Sequence, residues 1–266
     1  MMKKPIVTTI FFLSSILLLS GCGDSTSTMS VVESIGNAAQ KNAELENARF
    51  ETRYSLDSEA KPFDQSSEGA FVKKAEYDYE WYQKTSFDET NTTETSQIGG
   101  KQYQKISVPG QAETHWVEVS STGFALQELL RSLFENDLVE ADIAESQVED
   151  TGGRKEYTLT MNDAYVERIK AKNVEAIQQN IEELKQDDEE ELVIEEMETL
   201  LQEIEETNYQ GVTITYEING EGFLTAFHSE STAVPTTGES YTMVSSSSLT
   251  EYNLSDTEDL LPQIAE

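Results

Sequence analysis

The chain has 266 residues, with 51 acidic and 18 basic side chains and a formal net charge of −33 at neutral pH. This acidity excludes proteins that bind nucleic acids or anionic lipid surfaces through clustered Lys and Arg. Hydrophobic residues make up 37% of the chain, enough for a folded core, and a single cysteine excludes an internal disulfide.

The N-terminus has the pattern of a secretion signal. Lys3 and Lys4 precede an uncharged apolar stretch over residues 6–19, which is shorter than the ~20 residues of a membrane-spanning helix. The stretch ends in Leu19-Ser20-Gly21-Cys22, which resembles the lipobox of bacterial lipoproteins. The resemblance implies removal of the signal peptide 1–21 and a diacylglycerol on the Cys22 sulfur. The mature chain is then lipid-anchored on the extracytoplasmic face of a cell membrane, and we expect a Gram-positive one.

The mature chain divides into a lipidated tether over residues 22–30, one domain over 31–255 and a flexible tail over 256–266. Small polar residues in the first of these segments predict a flexible linker. Ser30 and Glu33 fit a capping box, and apolar residues at helical spacing then predict a helix from Val31 to Asn47.

The following segment alternates with a period of two, which is typical of antiparallel strands with one covered face. Phe50 to Leu56 and Ala75 to Trp81 predict two such strands, and residues 103–108 and 116–119 predict two shorter ones. Polar turns are predicted at residues 66–69, 98–100 and 109–110, where Ser, Gly and Pro cluster.

Helical periodicity returns in the middle of the chain. Leucines and a phenylalanine from Leu126 to Phe134 form a wide apolar stripe and predict a helix over 123–136. Gly152-Gly153 predicts a turn before a strand at 157–161. A long helix is predicted from Asn162 or Asp163 to Asn208.

Two features of this long helix follow from its sequence. The long helix has a kink or a division into two around Asp187 to Glu190, because the phase of its apolar residues shifts there. It is also acidic, with 13 Asp and Glu and one Lys between residues 182 and 206.

The last part of the chain predicts a hairpin at Asn219-Gly220 and one or two more strands between Tyr241 and Leu254.

This order of elements predicts an α+β fold with one curved antiparallel sheet and helices packed on one face. The order, the aromatic strand over residues 77–82 and the motifs Lys101-Gln102-Tyr103 and His115-Trp116 resemble the LolA/LppX-like half-barrel lipoprotein carriers and a related uncharacterised family of Gram-positive lipoproteins. The resemblance covers residues 31–255 and implies a half-barrel. The long acidic helix departs from the compact carriers.

The sequence contains no pattern that indicates catalysis. His115 and His228 are far apart and have no partner at metal-ligand spacing, and nucleotide-binding, hydrolase and zinc-peptidase motifs are absent. We therefore expect neither an enzyme nor a cofactor or bound metal.

Two functional hypotheses remain open. In the first, aromatic residues line a cleft for an apolar, lipid-like ligand, with the helix at 126–134 as a lid; the alternative is that they fill the core. The second hypothesis is an envelope adaptor whose acidic helix binds a basic protein partner through Glu195, Glu196, Glu203 and Glu206. The candidate cleft residues are Tyr54, Tyr77, Tyr79, Trp81, Trp116, Leu130 and Phe134.

Overall fold

The computed structural model describes residues 29–58, 62–75, 78–87, 91–107, 114–119, 138–186 and 191–264. The helices among them are α1 (Val31–Lys41), α2 (Asp163–Gln186) and α3 (Glu191–Glu206). The strands are β1 (Asn47–Asp57), β2 (Phe63–Ala75), β3 (Asp78–Ser86), β4 (Thr92–Ile98), β5 (Lys101–Ser107), β6 (Thr114–Val119), β7 (Ile143–Thr151), β8 (Arg154–Met161), β9 (Thr207–Ile218), β10 (Leu224–Pro235) and β11 (Tyr241–Tyr252).

All of these strands belong to one antiparallel sheet with the order β6-β5-β4-β3-β2-β1-β11-β10-β9-β8-β7. Strands β1 to β6 form one meander and β7 to β11 form a second, and the two meet where β1 pairs with β11. The sheet is open, because β6 and β7 at its two ends do not pair with each other. The predicted α+β architecture with a single antiparallel sheet is therefore confirmed, while its curvature into a half-barrel stays a prediction.

The first helix begins as the sequence predicts and ends earlier. The Ser30 Oγ accepts a hydrogen bond from the Glu33 N–H at 3.1 Å, and the Ser30 N–H donates to the Glu33 carboxylate at 3.0 Å, which completes the capping box. The prediction that this helix continues to Asn47 is wrong. The buried Asn42 side chain instead exchanges two hydrogen bonds, of 2.8 and 3.0 Å, with the backbone of Leu224, and this holds the chain to β10 before it enters β1.

The strand register assigns each side chain of the sheet to one of two faces, because residues directly opposite each other in neighbouring strands point the same way. We call the face that carries Phe50 and Phe71 the inner face and the opposite one the outer face. Helix α1 packs on the inner face through Ile35 and Ala38, which belong to the same buried cluster. Further members of this core are Leu45, Ala48, Tyr157, Leu159, Ile214, Tyr216, Leu224, Phe227 and Leu249.

The predicted turn at residues 66–69 is wrong, because these residues lie inside β2. Ser67 is buried opposite Thr85 of β3, and the two hydroxyls are 3.0 Å apart. Gly69 is needed at its position for space, since a Cβ there would lie 2.4 Å from both the Phe50 Cζ and the Tyr82 carbonyl oxygen. A run of small residues that resembles a turn is thus a strand in which an aromatic ring covers a glycine.

Three further strand assignments differ from the sequence prediction. The alternation from Ala75 to Trp81 is not one strand, because β2 ends at Ala75 and β3 begins at Asp78. Strands β4 and β7 are not predicted at all, since their Thr, Ser, Gln and Glu residues lack an apolar stripe. The predicted turns at Gly99-Gly100 and Gly152-Gly153 and the hairpin after β9 are all present.

The long acidic helix is divided into α2 and α3, which is one of the two forms that the sequence predicts. Asn162 caps α2 by accepting a hydrogen bond from the Tyr165 N–H at 3.2 Å. The two helices pack antiparallel around Ile177, Ile181 and Ile204, a cluster separate from the main core. Within the ranges described, no helix has the length and apolar character needed to cross a membrane.

The segment that follows β11 docks on the outer face. Leu260 is 4% exposed and packs with Ala70 and Val72 of β2. The Arg49 guanidinium also donates a hydrogen bond of 3.3 Å to the Asp259 carbonyl oxygen. The sequence predicts a flexible tail over 256–266, and Asp259 and Leu260 are the residues of this segment that contact β1 and β2 here.

Candidate functional site

The structure separates the residues predicted to line a cleft. Tyr54, Tyr79 and Trp81 share the inner face, whereas Trp116 lies on the outer face. The remaining predicted residues, which are Cys22, Tyr77, Leu130 and Phe134, and the predicted helix at 123–136 lie outside the described residues.

Tyr79 and Trp81 belong to the closed core and do not line an open space. They are 7% and 3% exposed, and the Tyr79 ring meets the Phe71 ring edge-on at 6.1 Å. The Trp81 Nε1–H donates to the Gln97 side chain at 3.3 Å. Both side chains are members of the same buried cluster as Phe50 and Phe71.

Trp116 takes part in a separate cluster on the outer face. Its ring meets the Tyr82 ring at 6.4 Å, and the Lys105 ammonium lies 5.8 Å from its centroid. Lys105 is also 2.8 Å from the Glu94 carboxylate, which accepts a 3.0 Å hydrogen bond from the Tyr82 hydroxyl. The intervening sheet separates Trp116 from Tyr54 and Trp81, so it does not join them in one site.

Tyr54 lies in a different part of the inner face, which is only half covered. Phe50 and Leu249 form a closed row beside α1, and Thr52 and Ser247 form the next row. Beyond them, the inner face carries a set of half-buried tyrosine and aliphatic side chains together with Phe63, which is 38% exposed. We call this set the tyrosine patch, and it comprises Tyr54, Leu56, Phe63, Tyr209, Tyr241 and Met243.

The strand register holds the tyrosine patch together. Leu56 of β1 lies directly between Phe63 of β2 and Met243 of β11, and the Tyr54 and Phe63 rings meet edge-on at 6.0 Å. Tyr209 of β9 and Tyr241 of β11 lie on either side of Ala233 in β10, which is fully buried. Four strands thus contribute a continuous uncharged surface of aromatic rings, aliphatic side chains and phenol hydroxyls.

Burial and mutual proximity perturb the three tyrosines of the patch. Burial raises the pKa of Tyr54 far above its ordinary value of 10, and Tyr209 and Tyr241 add to the rise. Burial also raises the pKa of Tyr209 to about 12, with Tyr241 as the second cause. The pKa of Tyr241 rises through burial and through the nearby Glu203 carboxylate of α3. The phenols therefore stay neutral at physiological pH. The effect of Glu203 on Tyr241 also shows that α3 lies next to the patch.

The sequence analysis identifies Tyr54 but not the rest of the patch. Leu56 and Tyr241 are recognised as strand residues, yet nothing in their local pattern indicates that β1 and β11 pair. Tyr209 lies at the junction between α3 and β9, where the sequence predicts only the end of a helix. The long-range register of the sheet is the missing signal.

The described residues contain no arrangement that indicates metal binding. No three His, Cys, Asp or Glu side chains among them are close enough to hold a metal ion together. His115 and His228 are both exposed, and they lie on opposite faces of the sheet, on β6 and β10.

Three solved structures are similar to this chain over most of its length. They are LprF from Mycobacterium bovis (9% identity, TM-score 0.40, 88% of this chain and 97% of that chain), Rv2717c from M. tuberculosis (9%, 0.25, 80% and 98%) and a DUF1329 family protein from Desulfovibrio piger (10%, 0.26, 86% and 97%). All three TM-scores are below 0.5, so these similarities establish neither a shared fold nor a shared function. No family model and no curated protein sequence matches the chain.

Proposed function

We propose that this chain is an extracytoplasmic lipoprotein that binds an apolar, lipid-like ligand without catalysing a reaction. The lipobox-like sequence at Cys22 supports membrane anchoring through diacylglycerol. The sheet is proposed to curve as a half-barrel, with the ligand held in its cleft against the tyrosine patch. The predicted helix at 123–136 would cover the cleft, as the sequence analysis expects.

The observation that carries this proposal is the incomplete cover of the tyrosine patch. The core beside α1 is closed, with Phe50 and Phe71 at 1% and 0% exposure. The patch has aromatic and aliphatic residues of similar size on the same face, but its members are half-buried or exposed. Covering apolar surface stabilises a complex by roughly 25 cal/mol per Å² before the costs of association. A ligand with a hydrocarbon part would gain this free energy at the patch.

The three phenol hydroxyls give the patch a polar component. Tyrosine combines apolar area with a hydrogen-bonding tip, and the raised pKa values keep all three hydroxyls protonated as donors. Such a surface suits a ligand that carries a hydrogen-bond acceptor next to its apolar part. No catalytic role follows, because a neutral phenol with a raised pKa is a poor general base at neutral pH.

Two neighbouring serines allow a test with a matched control. Ser245 lies on the inner face directly opposite Tyr54, whereas Ser246 lies on the outer face opposite Arg53. Ser245→Phe would place a bulky ring directly beside Tyr54 on the inner face, and Ser246→Phe would place the same side chain on the opposite side of the sheet. We expect Ser245→Phe to weaken binding of a fluorescent fatty acid about tenfold and Ser246→Phe to leave it unchanged.

The measurement is a fluorescence titration of the purified protein, combined with native mass spectrometry for co-purified lipid. The proposal fails if the parent protein neither carries lipid nor binds the probe. It also fails if both phenylalanine variants weaken binding equally, because the site would then not lie on the inner face.

A second function, the adaptor hypothesis, is favoured by the exposure of the acidic side chains on α3. Glu195, Glu196, Glu203 and Glu206 are all exposed on the surface of α3. A basic protein partner would then bind with an affinity that falls as salt is added. Changing all four to Gln should abolish this binding, which surface plasmon resonance can measure; unchanged binding of a basic partner would reject the adaptor.

A further inference from the structure

Strand β7 is an open edge of the sheet. It is the last strand in the order, and no described strand pairs with the edge of β7 that points away from β8. Eight of its nine residues are exposed, and Val148 near its middle is 50% exposed. Its only register shift lies between Ile143 and Glu145, which leaves Glu145–Thr151 as a regular run. Proteins usually shorten, cover or bend such an edge, because its unpaired N–H and C=O groups can pair with another chain.

The charges next to this edge are unbalanced. On the outer face, Glu149 of β7 lies directly opposite Glu156 of β8, which lies directly opposite Glu217 of β9. Like charges in directly opposed positions destabilise a sheet. Arg154 forms an ion pair with Glu217 at 2.5 Å, and within the described ranges no ion pair involves Glu149 or Glu156.

In the same outer-face row, the charges are balanced at the other end of the sheet. There, Lys84, Glu94 and Lys105 lie opposite one another on β3, β4 and β5, so the charges alternate. A cation opposite Glu149 on an added strand would begin the same alternation at the β7 edge. The backbone of the edge thus offers hydrogen bonds, and its side chains select a positively charged strand.

We propose that β7 is a docking edge for an extended, basic segment of another protein, which adds a twelfth strand to the sheet. Lys or Arg at alternate positions would face Glu145 and Glu149, and the residues between them would lie beside Val148 on the inner face. This is recognition by β-strand addition, in which main-chain hydrogen bonds supply affinity and alternate side chains supply specificity. A second copy of this chain is disfavoured, because two β7 edges would bring their glutamates together.

The probe is a fluorescent nine-residue peptide of alternating Lys and Val, titrated against the purified full-length protein. Hydrogen exchange should show protection of Ile143–Thr151 when the peptide is bound. A control peptide with the same side chains but N-methylated at alternate residues keeps the charge and loses the hydrogen-bond donors of one edge. We expect its affinity to be at least about tenfold lower.

Two charge reversals in the protein locate the site. Glu149→Lys should weaken binding of the alternating peptide about tenfold, because it replaces an attraction with a repulsion. Glu239→Lys makes the same change at an exposed position between β10 and β11 and should leave the affinity within about twofold, since distant charges are screened.

Four results would overturn the docking edge. They are no detectable binding of the alternating peptide, equal affinity of the N-methylated peptide, equal effects of the two reversals, and a homodimer that Glu149→Lys dissociates. The second and third would indicate attraction by net charge alone, and the fourth would indicate that the edge pairs with a second copy.

Discussion

The contact between Phe50 and Gly69 allows a direct test of how side chains pack on the inner face. A methyl group at Gly69 would lie 2.4 Å from the Phe50 Cζ, 2.8 Å from its Cε1 and 2.4 Å from the Tyr82 carbonyl oxygen. The ring of Phe50 can rotate, but the Tyr82 carbonyl belongs to the neighbouring strand β3 and can move only with the sheet. The substitution Gly69→Ala therefore forces the two strands apart at the centre of the core.

Overpacking of a core by one methyl group costs about 1–3 kcal/mol, and the backbone contact puts this substitution near the upper value. In a domain of this size, 1 kcal/mol corresponds to about 2–4 °C in Tm. We expect Gly69→Ala to lower the free energy of unfolding by about 3 kcal/mol and Tm by roughly 6–12 °C.

Gly36 is the matched control. It lies on the exposed side of α1, and a Cβ there would have no neighbour within 4 Å. Gly36→Ala should raise stability by about 0.5–1 kcal/mol, because alanine favours the helix. Urea unfolding followed by circular dichroism measures both variants. If Gly69→Ala changes stability by less than about 0.5 kcal/mol, the packing of Phe50 against β2 and β3 is wrong.

Three further predictions concern the anchor, the tyrosines and the C-terminal segment. Cys22→Ser should move the protein from the membrane to the soluble fraction, because two acyl chains stabilise anchoring by on the order of 20 kcal/mol; fractionation with immunoblotting measures this. The raised pKa of Tyr209 means that the unfolded chain ionises first. Its contribution to stability is therefore complete below pH 10 and is lost as the pH rises from 10 to about 12, which unfolding at alkaline pH and absorbance at 295 nm can follow against Tyr209→Phe. Leu260→Ala should cost about 2 kcal/mol of unfolding free energy, and no loss would show that residues beyond β11 do not support the sheet.

Local patterns in the sequence are sufficient to predict several elements. The alternation from Phe50 to Leu56 predicts β1 because one face of this strand is buried and the other is polar. The capping box at Ser30 predicts where α1 begins, since its hydrogen bonds join residues three positions apart. These signals are visible in the sequence because the interactions that produce them are themselves local.

Other elements depend on partners that are distant in the chain. Helix α1 ends early because Asn42 bonds to Leu224, which is 182 positions away. The small residues of β2 form a strand because Phe50 and Thr85 contact them across the sheet, although the same residues favour a turn locally. Strands β4 and β7 lack an apolar stripe, so only their pairing with neighbours reveals them.

The composition of the candidate site also depends on residues that are distant in the chain, because the strand register decides which side chains share a face. Trp81 and Trp116 look equivalent in the sequence, as aromatic residues in short strands, and the sequence predicts both in one cleft. Three consecutive strand pairings separate them, and a shift of one residue in any of these pairings would exchange the faces. Composition can therefore indicate that an aromatic surface exists, whereas only the register shows that Tyr54 shares its face with Tyr241. It follows that the Ser245→Phe and Ser246→Phe pair tests the register of β11 and the position of the ligand in the same experiment, because a shift of one residue would exchange the two results.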